Sequence, residues 1–170
     1  GNATLSGGQI LSNTADIGGG VVVSDSTAIF TQTSGTIGYN YANYHGGGVY
    51  VDAGQAVLNG GQIVSNTADT GGGVFVSDST AVFTQTSGTI EYNQAASNGG
   101  GVHVEFGQAV LSGGQILSNT ANYGGGVYDF GQVVLSGGQI LSNTANSWGG
   151  GVFVSGAAIF TQTSGMIGYN

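Results

Sequence analysis

The side chains able to exchange protons or hold a cation are few. They are eight carboxylates (Asp16, Asp25, Asp52, Asp69, Asp78, Glu91, Glu105 and Asp129) and two imidazoles, His45 and His103. Asp16/Asp69 and Asp25/Asp78 recur at one offset, 53 residues. If that offset spans two units stacked like neighbouring strands, each pair lies about 10 Å apart. This is near the outer limit for the carboxylates of an inverting glycosidase. Duplication copies a surface residue as readily as a catalytic one, so such pairs support a site only weakly. A polysaccharide lyase normally uses a cationic side chain to stabilise its enolate-like intermediate, and the chain has no Lys or Arg. Calcium needs six to eight converging oxygens. Neither a D-x-D-x-D-G loop nor a glycine-rich calcium nonapeptide is present, and nothing in the sequence supports even weak binding at the two SDST turns.

Glycine is the other residue type whose spacing invites chemistry. Six triplets begin at Gly18, Gly46, Gly71, Gly99, Gly124 and Gly149. A glycine run beside a strand can cradle phosphate, but the G-x-x-x-x-G-K-S/T pattern is missing and there is no lysine to complete it. The formal net charge of −8 also argues against nucleic acid, whose binding requires cations to displace counterions, and against a polybasic membrane contact. Without cysteine there is no disulfide frame or thiolate site. The reading is no catalytic residue, no metal site and no cofactor. No apolar run is long enough to insert into a membrane.

The glycines have a different meaning once their period is read. The triplets start 28, 25, 28, 25 and 25 residues apart, and Ile-x-x-Asn recurs seven times, from Ile10/Asn13 to Ile167/Asn170. Residues 9–40 and 62–93 nearly coincide at the offset of 53, or two short units. Self-similarity at this period marks units that stack because none can bury its apolar face alone. No helical stripe of apolar residues survives the glycines. Each unit instead holds three short β-prone runs: V-x-V after the glycines, then AVLS or IFTQT, then GQILSN or GTIGYN. SDST, DAGQ, EFGQ, SGG and NTAD read as turns between them.

The expected fold is all-β: a right-handed parallel β-helix with three strands per coil of about 25 residues. About six and a half coils form a rod roughly 30 Å long. Residues 1–170 form one solenoid domain, read as a segment or repeating subunit of a longer array. The glycines mark a corner where coils approach closely and positive φ is available. The seven asparagines, Asn13, Asn40, Asn66, Asn93, Asn119, Asn143 and Asn170, are expected to adopt the left-handed conformation at turns and to bond their amides from coil to coil.

The units GGGVYV…FTQTSGTIGYN resemble repeats of bacterial and archaeal adhesin-like, right-handed parallel β-helix proteins. They are loosely similar to the polymorphic outer-membrane protein repeats, with GGGV in place of GGA-I and Ile-x-x-Asn in place of F-x-x-N. The resemblance covers essentially the whole chain. It implies a secreted or cell-surface protein and brings no catalytic residues with it.

Within V-x-V the valines share one face and the middle residue takes the other. With the valines inside, the outward file is Val22, Tyr50, Phe75, His103, Tyr128 and Phe153, a mostly aromatic stripe available to a sugar or a protein. The opposite register, aromatics inside, is the alternative. His103 favours the first, because an imidazole is cheaper outside. Asp129 follows Tyr128 where a valine belongs, and a one-residue deletion is expected to move it into the turn. T-x-T arrays at Thr31/Thr33, Thr84/Thr86 and Thr161/Thr163 are expected to face outward with Phe30, Phe83 and Phe160 inward; their interruption in alternate coils weighs against an ice lattice. The segments before the glycines vary most, carry the sole tryptophan, Trp148, and read as recognition loops.

The functional expectation is a non-enzymatic structural module of an extracellular fibre or surface adhesin, self-associating end to end or within a longer chain. Partners include surface glycans or neighbouring-cell proteins, through Tyr50, Phe75, His103, Tyr128, Phe153 and Trp148. A polysaccharide-binding or polysaccharide-cleaving β-helix is the alternative, and an ice-binding solenoid a minor one.

Overall fold

The computed structural model describes residues 1–170 as a β-solenoid built only of parallel strands. Sheet A has seven layers: Asn2–Leu11, Ile29–Gly38, Gln55–Val64, Val82–Glu91, the pair Gln108–Leu111 and Gln115–Leu117, Gln132–Leu141, and Ile159–Gly168. Sheet B holds six strands of four or five residues, from Thr14–Ile17 to Thr144–Trp148, and sheet C holds six strands of three, from Val21–Val23 to Val152–Val154.

Three strands per coil stands as expected, but their division differs. The second and third expected runs are one ten-residue strand in six of the seven layers, because ladder pairing resumes beyond a bulge at the S-G or G-G step. The third strand is the segment read as a variable loop. Tyr41–His45, Thr67–Thr70 and their equivalents pair in sheet B. Every strand of sheet B carries alanine at its second position, and Ala42, Ala68, Ala95 and Ala121 are buried; the residues after it vary and hide a regular strand.

Outside the coil of Asp129 the V-x-V valines stack on their own copies: Val49 pairs with Val21 and Val74, Val51 with Val23 and Val76, and all but Val21 are buried in the core. The 53-residue period has a packing cause in sheet A. Phe30 and Phe83 lie on either side of Ala56, and Phe83 also faces Ala109, so in these layers a large side chain meets a small one; the alternation ends where Val133 stands between Ala109 and Phe160. Gln32 and Gln85 alternate with Leu58 and Leu111 in the adjacent inward file. These buried glutamines tie down the bulge: Gln32 Nε2 donates to the carbonyls of Gly35 and of Gln62 in the next coil, both at 3.1 Å.

The second triplet shows why glycine is needed three times over. Gly46 has φ +66°. A Cβ on Gly47 would sit 2.5 Å from the Gly72 carbonyl oxygen, and one on Gly48 2.7 Å from that of Gly73. The amides of Gly46, Gly47 and Gly48 donate to Thr70, Gly71 and Gly72 in the next coil at 3.0–3.1 Å, leaving none to cradle an anion.

The asparagine ladder is continuous. Asn93 donates its backbone N–H and Nδ2 to Asn119 Oδ1 at 2.9 and 3.0 Å, and its second Nδ2 proton goes to the Ile63 carbonyl at 2.9 Å. The same three bonds repeat at Asn40, Asn66, Asn119 and Asn143. The left-handed residue is not the asparagine, however, but the one before it: Ser12, Tyr39, Ser65, Tyr92, Ser118, Ser142 and Tyr169, at φ 54–58°. The sharp reversal falls one residue early and aims the amide down the stack.

Candidate functional site

The expected register holds: the valines of sheet C enter the core, and the middle residues point away from it. The stripe they form is nevertheless not an open one. Phe75 is 1% exposed and His103 5%, Tyr50, Tyr128 and Phe153 are half-buried, and only Val22 and Trp148 are largely exposed. The glycine corner folds sheet C back toward sheet B, so the residue preceding each triplet packs beside the file. That second file runs Ile17, His45, Thr70, Asn98, Tyr123, Trp148 in register. The result is a cleft outside the core, filled with stacked rings.

Ring centroids along the first file are 5.5 Å from Tyr50 to Phe75, 4.6 Å to His103, 4.8 Å to Tyr128 and 5.4 Å to Phe153. The second file closes over it: His45 lies 4.7 Å from Phe75, Tyr123 5.9 Å and Trp148 5.8 Å from Phe153. His45 Nδ1 and Thr70 Oγ1 are 2.7 Å apart. The signal for this cleft was present in the sequence as bulky or polar residues directly before Gly-Gly-Gly, five positions ahead of the file in coils such as His45/Tyr50.

His103 overturns the expectation that an imidazole stays outside. Its Nδ1 is buried without a partner. Burial, with repulsion from His45, lowers its pKa to about 3, so the ring is neutral and serves as one more flat element of the stack. Burial also raises the Tyr50 hydroxyl above the usual phenol range, and the Asp52 carboxylate, whose Oδ1 accepts from that hydroxyl at 3.3 Å, pushes it the same way.

Asp129 is the second correction. It does not slip into the turn but holds the valine position, pairing with Val104 and Val154, and is fully buried. Oδ1 accepts the Gly131 N–H at 3.0 Å, Oδ2 has no partner, and desolvation raises the pKa to about 6. The lost residue is absorbed by a shorter turn instead. Short turns at 105–107 and 130–131 lie between the longer turns 77–81 and 155–158, leaving a notch of about 660 Å³ with Phe106 and Phe130 exposed in its wall and Gln108, Gln132 and Ser79 beside them.

Four other acids are engaged locally. Asn43 Nδ2 donates to Asp16 at 2.6 Å and Ser97 to Asp69 at 2.9 Å. Asp25 accepts the hydroxyl and N–H of Thr27, and Asp78 the N–H and hydroxyl of Thr80, which lower both pKa values. No three His, Cys, Asp or Glu side chains converge on one point. Thr31 and Thr84 are half-buried on the outer face of sheet A, Thr33 and Thr86 exposed, as the T-x-T reading expects. No helix is long and apolar enough to cross a membrane. No known protein family, curated protein or solved structure matches the chain.

Proposed function

We propose that the chain is a non-enzymatic structural module of an extracellular fibre or cell-surface adhesin, lengthened by stacking further coils along its axis. The observation that carries this reading is the direction of its repeated polar chemistry. The asparagine side chains and the glycine amides spend their hydrogen bonds on the neighbouring coil, and each buried glutamine sends one of its two there. Such ladders make every coil a template for the next. The resemblance to adhesin-like repeats points the same way. Immunogold labelling of intact source cells tests the reading. Label on surface fibres or extracellular material is the expected result; label confined to the cytoplasm of permeabilised cells contradicts it.

The notch favours polysaccharide binding as a second reading. Exposed rings of Phe106 and Phe130 next to two primary amides offer stacking and hydrogen bonding to an uncharged sugar. A glycan array with Phe106→Ala and Phe130→Ala as controls tests it. No retention on any neutral glycan removes it.

A further inference from the structure

We propose that the outer face of sheet A is a lateral self-association surface, on which two copies of the chain lie side by side with their axes parallel.

The first argument is charge. Of the eight acids, only Glu91 stands on this face. Asp16 and Asp69 are on sheet B, Asp25, Asp52, Asp78 and Glu105 are in the turns between sheets C and A, and Asp129 is buried. Two molecules of net charge −8 repel. They approach with least repulsion through the face that carries one charge each. That charge is already tempered, since Glu91 Oε1 accepts from Gln62 Nε2 and Thr89 Oγ1, both at 3.2 Å.

The second argument is surface character. One outward file, Thr31, Val57, Thr84, Val110 and Val134, is β-branched throughout and half-buried. A parallel file, Leu11, Gly38, Val64, Glu91, Leu117, Leu141 and Gly168, is aliphatic at four of its seven positions. The stiff, branched file loses little side-chain entropy when covered. The file of Gln9, Thr36, Gln62, Thr89, Gln115 and Gln139 beside it offers uncharged amides and hydroxyls for hydrogen bonds across the contact.

The third argument is area. Seven layers at about 4.8 Å and ten residues at about 3.3 Å give a face on the order of 900 Å². A stable dimer needs about 800 Å² per partner. Symmetry then selects the orientation. Glu91 lies in the file at one edge of the sheet, in the middle layer. A two-fold axis parallel to the solenoid axis sends the two Glu91 to opposite edges, whereas one along the strands brings them together. Parallel rods follow. This pairing is independent of axial stacking, which uses the coil ends.

The test is sedimentation equilibrium of the full chain over a wide concentration range, with four proteins compared. The unmodified chain should reach twice the monomer mass and stop there. The double substitution Val57→Glu/Val110→Glu should stay monomeric while keeping its far-UV circular dichroism. Glu91→Gln should tighten the dimer several-fold, and Asp69→Asn, the same charge change on sheet B, less than two-fold. The glutamine variant keeps the proposal testable even if the double variant fails to fold. Monomer at every concentration overturns it. So does association unchanged by Val57→Glu/Val110→Glu, or equal tightening by Asp69→Asn. Open-ended growth indifferent to the face substitutions assigns the contact to the coil ends, and retention of a monomer on neutral polysaccharide through this face assigns it to a glycan; either overturns lateral pairing.

Discussion

Asn93 and Asp129 both bury a polar side chain in a stack of seven or six copies, yet one is satisfied and the other is not. Asn93 has an asparagine above and below, so each acceptor meets two donors and each amide proton has a partner. Asp129 has valines above and below, and one of its oxygens is left with nothing. A neutral donor–acceptor group repeated in register supplies its own partners. A single polar group placed in an apolar ladder cannot, and it answers by shifting its pKa. His103, alone among rings, behaves as Asp129 does.

Breaking the satisfied ladder should cost most. Asn93→Ala removes two bonds made by the side chain and strands the N–H and Nδ2 of Asn66. The expected loss is about 4 kcal/mol in urea unfolding. Asn13→Ala, at an exposed position that offers only one side-chain bond, should cost below about 1 kcal/mol. Equal losses at the two sites would mean that the ladder is not what the interior copies contribute.

The unpaired groups should give a pH signature of intermediate size. His103 has a folded pKa of about 3 against 6.5 when unfolded, so the unfolded chain binds more protons between these values and stability falls as pH falls through them. His103→Phe, which continues the ring stack, should therefore gain about 2 kcal/mol over the parent at pH 5 relative to pH 7.5. Asp129 runs oppositely. Its folded pKa of about 6 exceeds the ordinary 3.8, so its contribution is present at low pH and lost as pH rises through 6. Asp129→Val should stabilise by roughly 2 kcal/mol above pH 6, and by less as pH falls toward 4. Between pH 4 and 6 the two slopes oppose each other in the parent. Stability there should be nearly flat, and each single substitution should uncover the slope of the other group. A flat profile in either variant would contradict the assignment.

The parts legible in the sequence are those in which a residue type repeats with its coil. Ile-x-x-Asn gave the ladder, V-x-V the register, and the triplets the corner. The 53-residue period was visible too, but its cause, Phe over Ala, needs the knowledge of which files stack. The sheet B strands were hard to read because one repeated residue is their only constant: YANYH and QAASN share just the alanine at their second position, yet Tyr41 and Gln94 both pair with Thr67. The left-handed residue was misplaced by one because Asn is the usual occupant of that conformation, while Ser and Tyr are forced into it here by the stack. The cleft was misread as an open stripe because a three-residue strand shows which way its middle side chain points, not what folds over it.

Hydrogen exchange of the asparagine side-chain amides, followed by nitrogen-15 NMR, tests the ladder most directly. The five buried copies, Asn40, Asn66, Asn93, Asn119 and Asn143, should hold their Nδ2 protons as long as the most protected backbone amides, exchanging only when the solenoid unfolds. Asn13, with one free proton and an exposed position, should exchange fast. Rapid exchange at the interior copies, in a chain whose backbone amides remain protected, would contradict the account.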